Sequence, residues 1–176
     1  MKKFFIVSTA MLLFVIATPQ KTAAQFEIGK HYIGPSIGFA FGASTIILGA
    51  NYEYGILWEE VGNIGVGGIF RYWHYSEGYA SYTDIAIGAQ ANYHFKMKNK
   101  KFDPWAGLTL AFDFGSSSWS GPYEDDYWDS DSYGGMWLTL NGGFRYWISP
   151  KIGLNGRLAF GTLGYGGIEL GVDFKL

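Results

Sequence analysis

The chain contains no cysteine, so disulfides, thiolate metal sites and thiol catalysis are excluded at the outset. Charge is scarce as well. Asp, Glu, Lys and Arg make up 16% of the residues, where a soluble domain carries about 25%. No basic stripe runs along the sequence, which argues against nucleic acid as a partner. After residue 25 no apolar run approaches the ~20 residues a membrane helix needs, and no segment there holds a convincing helical stripe.

In their place stand aromatics, at 19% of residues, and 26 glycines. The length of 176 residues suits one domain. Lys2 and Lys3 form a basic start, residues 4–17 are apolar except for Ser8 and Thr9, and Thr22-Ala23-Ala24 supplies small residues where a signal peptidase cuts. We expect a signal peptide over 1–24, cut between Ala24 and Gln25, and a single β-barrel domain over 25–176. The leader holds Lys2, Lys3 and Lys21 and no acid, so the remainder is more acidic than the whole chain's formal charge of −2.

Period-two alternation dominates that remainder. It predicts an all-β chain of about eight strands, near 32–42, 45–55, 61–74, 80–95, 103–114, 134–147, 151–161 and 165–175. Turn residues separate them: Gly42-Ala43-Ser44, Leu57-Trp58-Glu59-Glu60, a lysine-rich stretch at 96–101 and Ser149-Pro150-Lys151. One face of each strand is apolar, as in Ile33, Pro35, Ile37 and Phe39, or Leu138, Leu140, Phe144 and Tyr146, or Ile168, Leu170, Val172 and Phe174. The other face carries Glu53, Arg71, Asp84, Asp113, Arg145, Arg157, Glu169 and Asp173 with Asn, Gln, Thr and many glycines.

Orientation of those faces decides the class. A soluble lipocalin-like barrel points its apolar groups inward, whereas an outer-membrane barrel turns them toward lipid and encloses the polar ones. Small residues crowd the polar face, as a narrow eight-stranded interior demands. Aromatics on the apolar face gather near strand ends (Tyr52 and Tyr54, Tyr93 and Phe95, Phe144 and Tyr146), where an interfacial girdle sits. The strands are also long against a globular mode of about 5–6 residues. These features predict an antiparallel up-and-down transmembrane barrel, with short turns at 56–60, 96–102 and 148–151 in the periplasm and the longest loop, 115–133, outside.

The Ala24-Gln25 cleavage site, the hairpin Phe144-Arg145-Tyr146-Trp147-Ile148-Ser149-Pro150-Lys151-Ile152-Gly153-Leu154 and the alternating last strand resemble the small outer-membrane β-barrel proteins of Gram-negative bacteria. The group is similar to the OmpA transmembrane domain and OmpX. The chain departs from it at the end, Phe174-Lys175-Leu176, where the aromatic sits two residues early. The resemblance implies a fold and a location in the outer membrane, with its lipid and lipopolysaccharide as surroundings, and implies no single activity.

Hairpin arithmetic pairs the interior charges. A turn centred on Leu163 sets Arg157 opposite Glu169, and a loop centred between Glu77 and Gly78 sets Arg71 opposite Asp84, at ~5 Å between Cβ atoms. Such pairs read as a structural plug or as the gate of a narrow pore. His74-Tyr75-Ser76 has a His-x-Ser spacing similar to the lipid A deacylase family of outer-membrane barrels, without an evident third group to orient the histidine. His31 and His94 lie near the periplasmic ends and form no pattern. The stretch with Trp119, Tyr123, Glu124, Asp125, Asp126, Tyr127, Trp128, Asp129 and Asp131 mixes acids with aromatics. Asp129-x-Asp131 has calcium-loop spacing, yet Tyr133 replaces the third ligand and no Glu follows. A solvated surface loop suits this stretch better, meeting lipopolysaccharide-bound cations, an extracellular protein or another surface ligand. The expectation is a structural or surface-interaction barrel without a cofactor. A narrow pore or transport-assembly component and a lipid A-modifying enzyme are the alternatives.

Overall fold

A computed structural model describes residues 26–121, 131–162 and 166–176. Eight antiparallel strands follow one another around a closed barrel: β1 (His31–Ala40), β2 (Thr45–Trp58), β3 (Gly62–Glu77), β4 (Ala80–His94), β5 (Phe102–Trp119), β6 (Ser132–Trp147), β7 (Ile152–Gly161) and β8 (Gly166–Lys175). Each pairs with its sequence neighbours, and β8 returns to β1 through pairs such as Ile37 with Leu170. Closure leaves no strand edge for lipid to meet. The leader expected over 1–24 and the turn centre at Leu163 lie outside the described residues.

The apolar face looks out. Ile46, Leu48, Ile87, Leu140, Phe160 and Leu170 are all exposed, with Leu140 and Leu170 at 63%. The eight charged residues assigned to the other face are all buried, none above 6% exposure. Greasy residues outside and ions inside reverse the order of a water-soluble barrel and match a lipid-facing wall. The start of β1, the end of β8 and the turns after β2, β4 and β6 gather at one end, here the turn end. The opposite, loop end carries the connections 41–44, 78–79, 120–131 and 162–165.

Strand limits follow the alternation closely, with β2 running on to Trp58 through the first half of its expected turn and with three extensions at the loop end. β3 runs to Glu77, β5 to Trp119, and β6 starts at Ser132. The Ser116-Ser117-Ser118 run, whose composition reads as loop, instead pairs with Thr83, Tyr82 and Ser81 of β4. One register differs from the arithmetic above. Gly78, with φ of +61°, takes the first place of a two-residue turn, so Glu77 faces Ala80. Arg71 therefore stands opposite Ala86, and Asp84 opposite Trp73. The slip keeps both charges on the inner face while removing their expected partnership. Arg157 does face Glu169 across β7 and β8.

Below the barrel, residues 26–30 fold back onto β2. Gly29 N donates to Gly55 O at 2.8 Å, and Gly55 N to Lys30 O at 3.0 Å. A side chain at Gly55 would run into the Glu27 carbonyl and the Phe26 ring, so glycine there admits this close approach.

The lipid-facing assignment yields the first prediction. Leu170→Arg in the middle of β8 should destabilise the barrel by about 2–4 kcal/mol in urea titrations in lipid vesicles, while Glu77→Arg at the loop end should change little. Equal tolerance of both substitutions contradicts the assignment.

Candidate functional site: the barrel interior

The interior divides along the barrel axis into a packed lower part and an open upper part. At the turn end Arg145 of β6 sits among three carboxylates from three other strands. Its Nε donates to Asp173 Oδ2, Nη2 to Glu53 Oε2 at 3.1 Å and Nη1 to Asp103 Oδ2 at 3.3 Å. The guanidinium also lies 4.7 Å from the Tyr32 ring centroid and 5.5 Å from that of Trp147. His94 stands between two of the acids, its Nδ1 2.9 Å from Asp103 and Nε2 3.2 Å from Glu53. Phe26 stacks on the His94 ring at 3.7 Å, and Lys175 Nζ pairs with Glu27 at 2.9 Å, closing the floor. Glycines make room for this crowding: any Cβ at Gly65 would overlap the Glu53 carboxylate.

One layer higher, Arg71 Nε bonds Glu169 Oε1 at 2.8 Å, and Ser36 Oγ donates to Glu169 Oε2 at 2.7 Å. Arg71 Nη2 and Arg157 Nη1 share the Asn51 Oδ1 acceptor at 2.7 and 2.9 Å. Arg157 Nη2 donates to Gln90, and its guanidinium lies 5.1 Å over the Trp105 ring. Although Arg157 and Glu169 are register partners, Glu169 spends its oxygens on Arg71 and Ser36. Arginine reaches across the barrel, and pairing between neighbouring strands does not foresee that reach.

Above this layer the interior opens. A cavity of about 650 Å³ lies at the loop end, against about 20 Å³ in the packed lower half. Ile47, Ile69, Trp73 and Trp137, of one buried apolar cluster with Ala86 and Ala111, line its wall. Asp84 and Asp113, each 3% exposed, point inward from β4 and β5. Tyr133 Oη donates to Asp84 Oδ1 at 2.8 Å. The Tyr133 ring crosses Gly115, where any Cβ would overlap it.

All eight interior charges read from the sequence thus line the barrel axis, in two groups. Glu53, Arg71, Arg145, Arg157, Glu169 and Asp173 build the packed part, of which Arg71, Arg157 and Glu169 also face the cavity that Asp84 and Asp113 line. Alternation had the means to add His94 and Asp103, which share faces with Asn92 and Asp113, but a lone histidine near a strand end gave no pattern to notice. The inward tryptophans 73, 105 and 137 were hidden for another reason, since nothing in a tryptophan distinguishes lipid from lumen.

Of the acidic-aromatic stretch, Trp119 is exposed and meets Tyr79 edge-on at 5.7 Å, and the Asp131 carbonyl accepts from Ser117 N at 2.9 Å. Tyr123, Glu124, Asp125, Asp126, Tyr127, Trp128 and Asp129 lie outside the described residues. His74 and Ser76 are both exposed on the outer face, but His74 Nδ1 lies 2.9 Å from Thr83 Oγ1 and Ser76 Oγ lies 2.9 Å from Ser81 Oγ. Among the described residues no group of three or more acids and histidines is set to hold a metal ion.

These features define an eight-stranded, closed, antiparallel barrel with a charged, largely filled interior, which is the build of the small outer-membrane β-barrels. Solved structures agree. The N-terminal β-barrel domain of OprF from Pseudomonas aeruginosa is similar with a TM-score of 0.62 at 15% identity, covering 85% of this chain and 98% of that one. Neisserial surface protein A also gives 0.62, at 16% identity over 84% of this chain and 95% of its own. Ail, the attachment invasion locus protein of Yersinia pestis, gives 0.54 at 16% identity over 85% and 100%. No protein-family model matches the sequence, and no curated protein matches it, so the likeness is one of fold.

The Arg145 cluster carries its own test. Removing one partner from a buried ion cluster leaves uncompensated charge and costs about 3–5 kcal/mol. Arg145→Met should therefore lower the unfolding free energy by that order in lipid vesicles, and Arg145→Lys should recover only part of it because ammonium cannot reach three carboxylates as a planar fork does. A loss below about 1 kcal/mol would show that the carboxylates are solvated rather than caged.

Proposed function

We propose that this chain is an integral outer-membrane barrel that acts at the cell surface through its loop end, with an interior closed to ion flow. The packed lower half carries the reading. Arg145, Glu53, Asp103, Asp173 and His94 fill the axis side to side, and the space left there, about 20 Å³, holds no more than about one water. Eight strands leave an interior only wide enough for side chains. Such a plug supports a scaffold role and speaks against a narrow pore.

Support for a surface role comes from what the loop end presents. The sequence of 122–130 combines Glu124, Asp125, Asp126 and Asp129 with Tyr123, Tyr127 and Trp128, a mixture that bonds bridging cations and buries aromatic area at low entropy cost. Two of the similar structures belong to proteins named for the cell surface or for attachment. A lipid A enzyme is the weaker alternative, because His74 and Ser76 each bond to β4 instead of forming a base–nucleophile pair.

In planar bilayers the chain should give no steady conductance steps above the bare membrane, and stable open steps would overturn the closed-interior reading. Mass spectra of lipid A from cells expressing the chain should match those from cells expressing a His74→Ala, Ser76→Ala variant. A deacylated product lost in the variant would restore the enzyme. Exchange of Glu124, Asp125, Asp126, Asp129 and Asp131 for amides should leave heat-modifiable gel migration intact and abolish divalent-dependent retention of lipopolysaccharide on the purified barrel. Retention unchanged by those amides counts against the loop as the contact.

A further inference from the structure

Charge on the outside of the barrel is sorted by end. Every lysine after residue 25 lies at the turn end, and the arginines, Arg71, Arg145 and Arg157, are enclosed. The loop-end connections hold no lysine or arginine, and the sequence of the longest instead carries Glu124, Asp125, Asp126, Asp129 and Asp131.

The lysines also share one arc of the turn end. Lys96, Lys98, Lys100 and Lys101 stand in the turn after β4, Lys151 in the turn after β6, and Lys175 and Lys30 beside the seam of β8 and β1. Backbone bonds tie these pieces side by side: Trp147 N donates to Lys101 O and Lys175 N to Lys151 O, each at 2.8 Å. Asn99 holds the lysine turn in shape, its side-chain oxygen accepting from Lys101 N at 3.0 Å and its carbonyl from Phe102 N at 3.1 Å. Acids are few here. Glu27 pairs with Lys175, and Glu59 and Glu60 lie on the remaining arc, in the turn after β2. Lys30, Lys96, Lys98, Lys100 and Lys151 are exposed and make no ion pair among the described residues.

What lies beside the lysines fixes their depth. Phe95 and Met97 alternate with Lys96 and Lys98, and both are exposed. Phe95 meets Tyr93 edge-on at 4.9 Å, and Phe102 lies 5.9 Å from Phe144 and opposite the exposed Tyr146. Such an aromatic girdle marks where hydrocarbon gives way to headgroups. Lys96 follows Phe95 directly and Lys101 precedes Phe102, and a lysine stem lies along apolar surface while its ammonium reaches the polar layer. Ammonium groups at that depth face lipid phosphates. A zwitterionic headgroup brings its own cation to offset the phosphate, and an anionic one does not.

We infer that the turn end is a docking surface for anionic phospholipid. Lys96, Lys98, Lys100 and Lys151 hold the headgroup phosphates, and Phe95 and Met97 meet the acyl chains. The inference goes beyond the surface role of the loop end and makes no use of the closed interior. It needs only a wall that faces lipid.

The test uses the whole folded barrel in phosphatidylcholine vesicles carrying a trace of spin-labelled phosphatidylglycerol or spin-labelled phosphatidylcholine, and reads the fraction of label immobilised at the protein. Phosphatidylglycerol should associate roughly fivefold more strongly, as one lysine near an anionic lipid contributes. The preference should vanish at about 1 M salt, where charges are screened within a few ångströms. Lys96→Gln, Lys98→Gln, Lys100→Gln and Lys151→Gln together should remove it, and the matching Arg exchanges should keep it, with folding of both variants checked by gel migration. Equal association of the two labelled lipids with the unaltered barrel overturns the inference without any variant. So does a preference that survives the Gln exchanges, or one that excess soluble glycerophosphoglycerol abolishes, which assigns the surface to free phosphate esters. Polyglutamate bound at the turn end in place of the lipid assigns it to an acidic protein and equally overturns it. The wall is tested apart, by Leu170→Arg. A barrel destabilised by that change that still ignores phosphatidylglycerol defeats the docking surface alone.

Discussion

Backbone hydrogen bonding in a medium without water is the constraint from which the rest follows. Every N–H and C=O at membrane depth must find a partner within the protein, and an antiparallel sheet does so only by returning to its first strand. Here β8 makes that return onto β1, and Leu176 N extends it by donating to His31 O at 2.9 Å. Once closed, the sheet has two faces in two solvents, so alternation along each strand must carry opposite chemistries. The number of strands then sets the diameter, and the diameter sets what the interior can hold.

A polar interior of that width has to neutralise itself. Arg145 shows how this is done, with one cation on β6 held by acids from β2, β5 and β8. Buried ion clusters add little stability over a hydrophobic core of equal volume, yet losing one member is severe. The cluster's value in this barrel lies in what it ties together. β2 and β8, which do not neighbour β6 in the sheet, are fixed in height relative to it and to its neighbour β5, because the cage forms only when all four bring their charges to one level. Arg71 and Glu169 repeat the device between β3 and β8. In a wall of small, forgiving residues such as Gly65, Gly67 and Gly68, such cross-axis ties specify a register that local pairing leaves loose.

Legibility in the sequence follows the same physics. Period-two alternation is a local signal, and it revealed the strand count, the strand limits to within a few residues, and which face holds each of the eight interior charges. Register is semi-local, since it depends on where a turn places its left-handed residue. Arg157 and Glu169 were paired correctly, whereas Gly78 moved Arg71 away from Asp84. Contacts across the axis are wholly non-local. That Glu169 serves Arg71, that His94 lies between Glu53 and Asp103, and that the upper half stays open all depend on where side chains end, and the alternation records only where they begin. The Ser116-Ser117-Ser118 strand was misread because serine's preference for turns weakens once β4 offers all three a partner and β6 offers one to Ser116.

The open upper half is nonetheless written in residue sizes. Toward the turn end the inward positions carry Tyr32, Glu53, Trp105, Arg145 and Trp147, side chains long enough to meet at the axis. Toward the loop end they carry Gly38, Ala40, Ala86, Ala111, Ala159 and Gly167, too short to meet. The two tryptophans among them, Trp73 and Trp137, belong to the cavity's apolar wall, so they bound the space and do not fill it. A barrel selected only for stability has reason to fill both halves alike, since a void forfeits dispersion contacts on every wall that lines it. Short inward residues stand in both halves, Gly65 beside Glu53 among them, but only toward the turn end do long side chains fill the space they leave, so the cavity opens toward the loops. In the reading proposed above, the plug below closes the interior to ion flow and is at the same time the floor of the cavity.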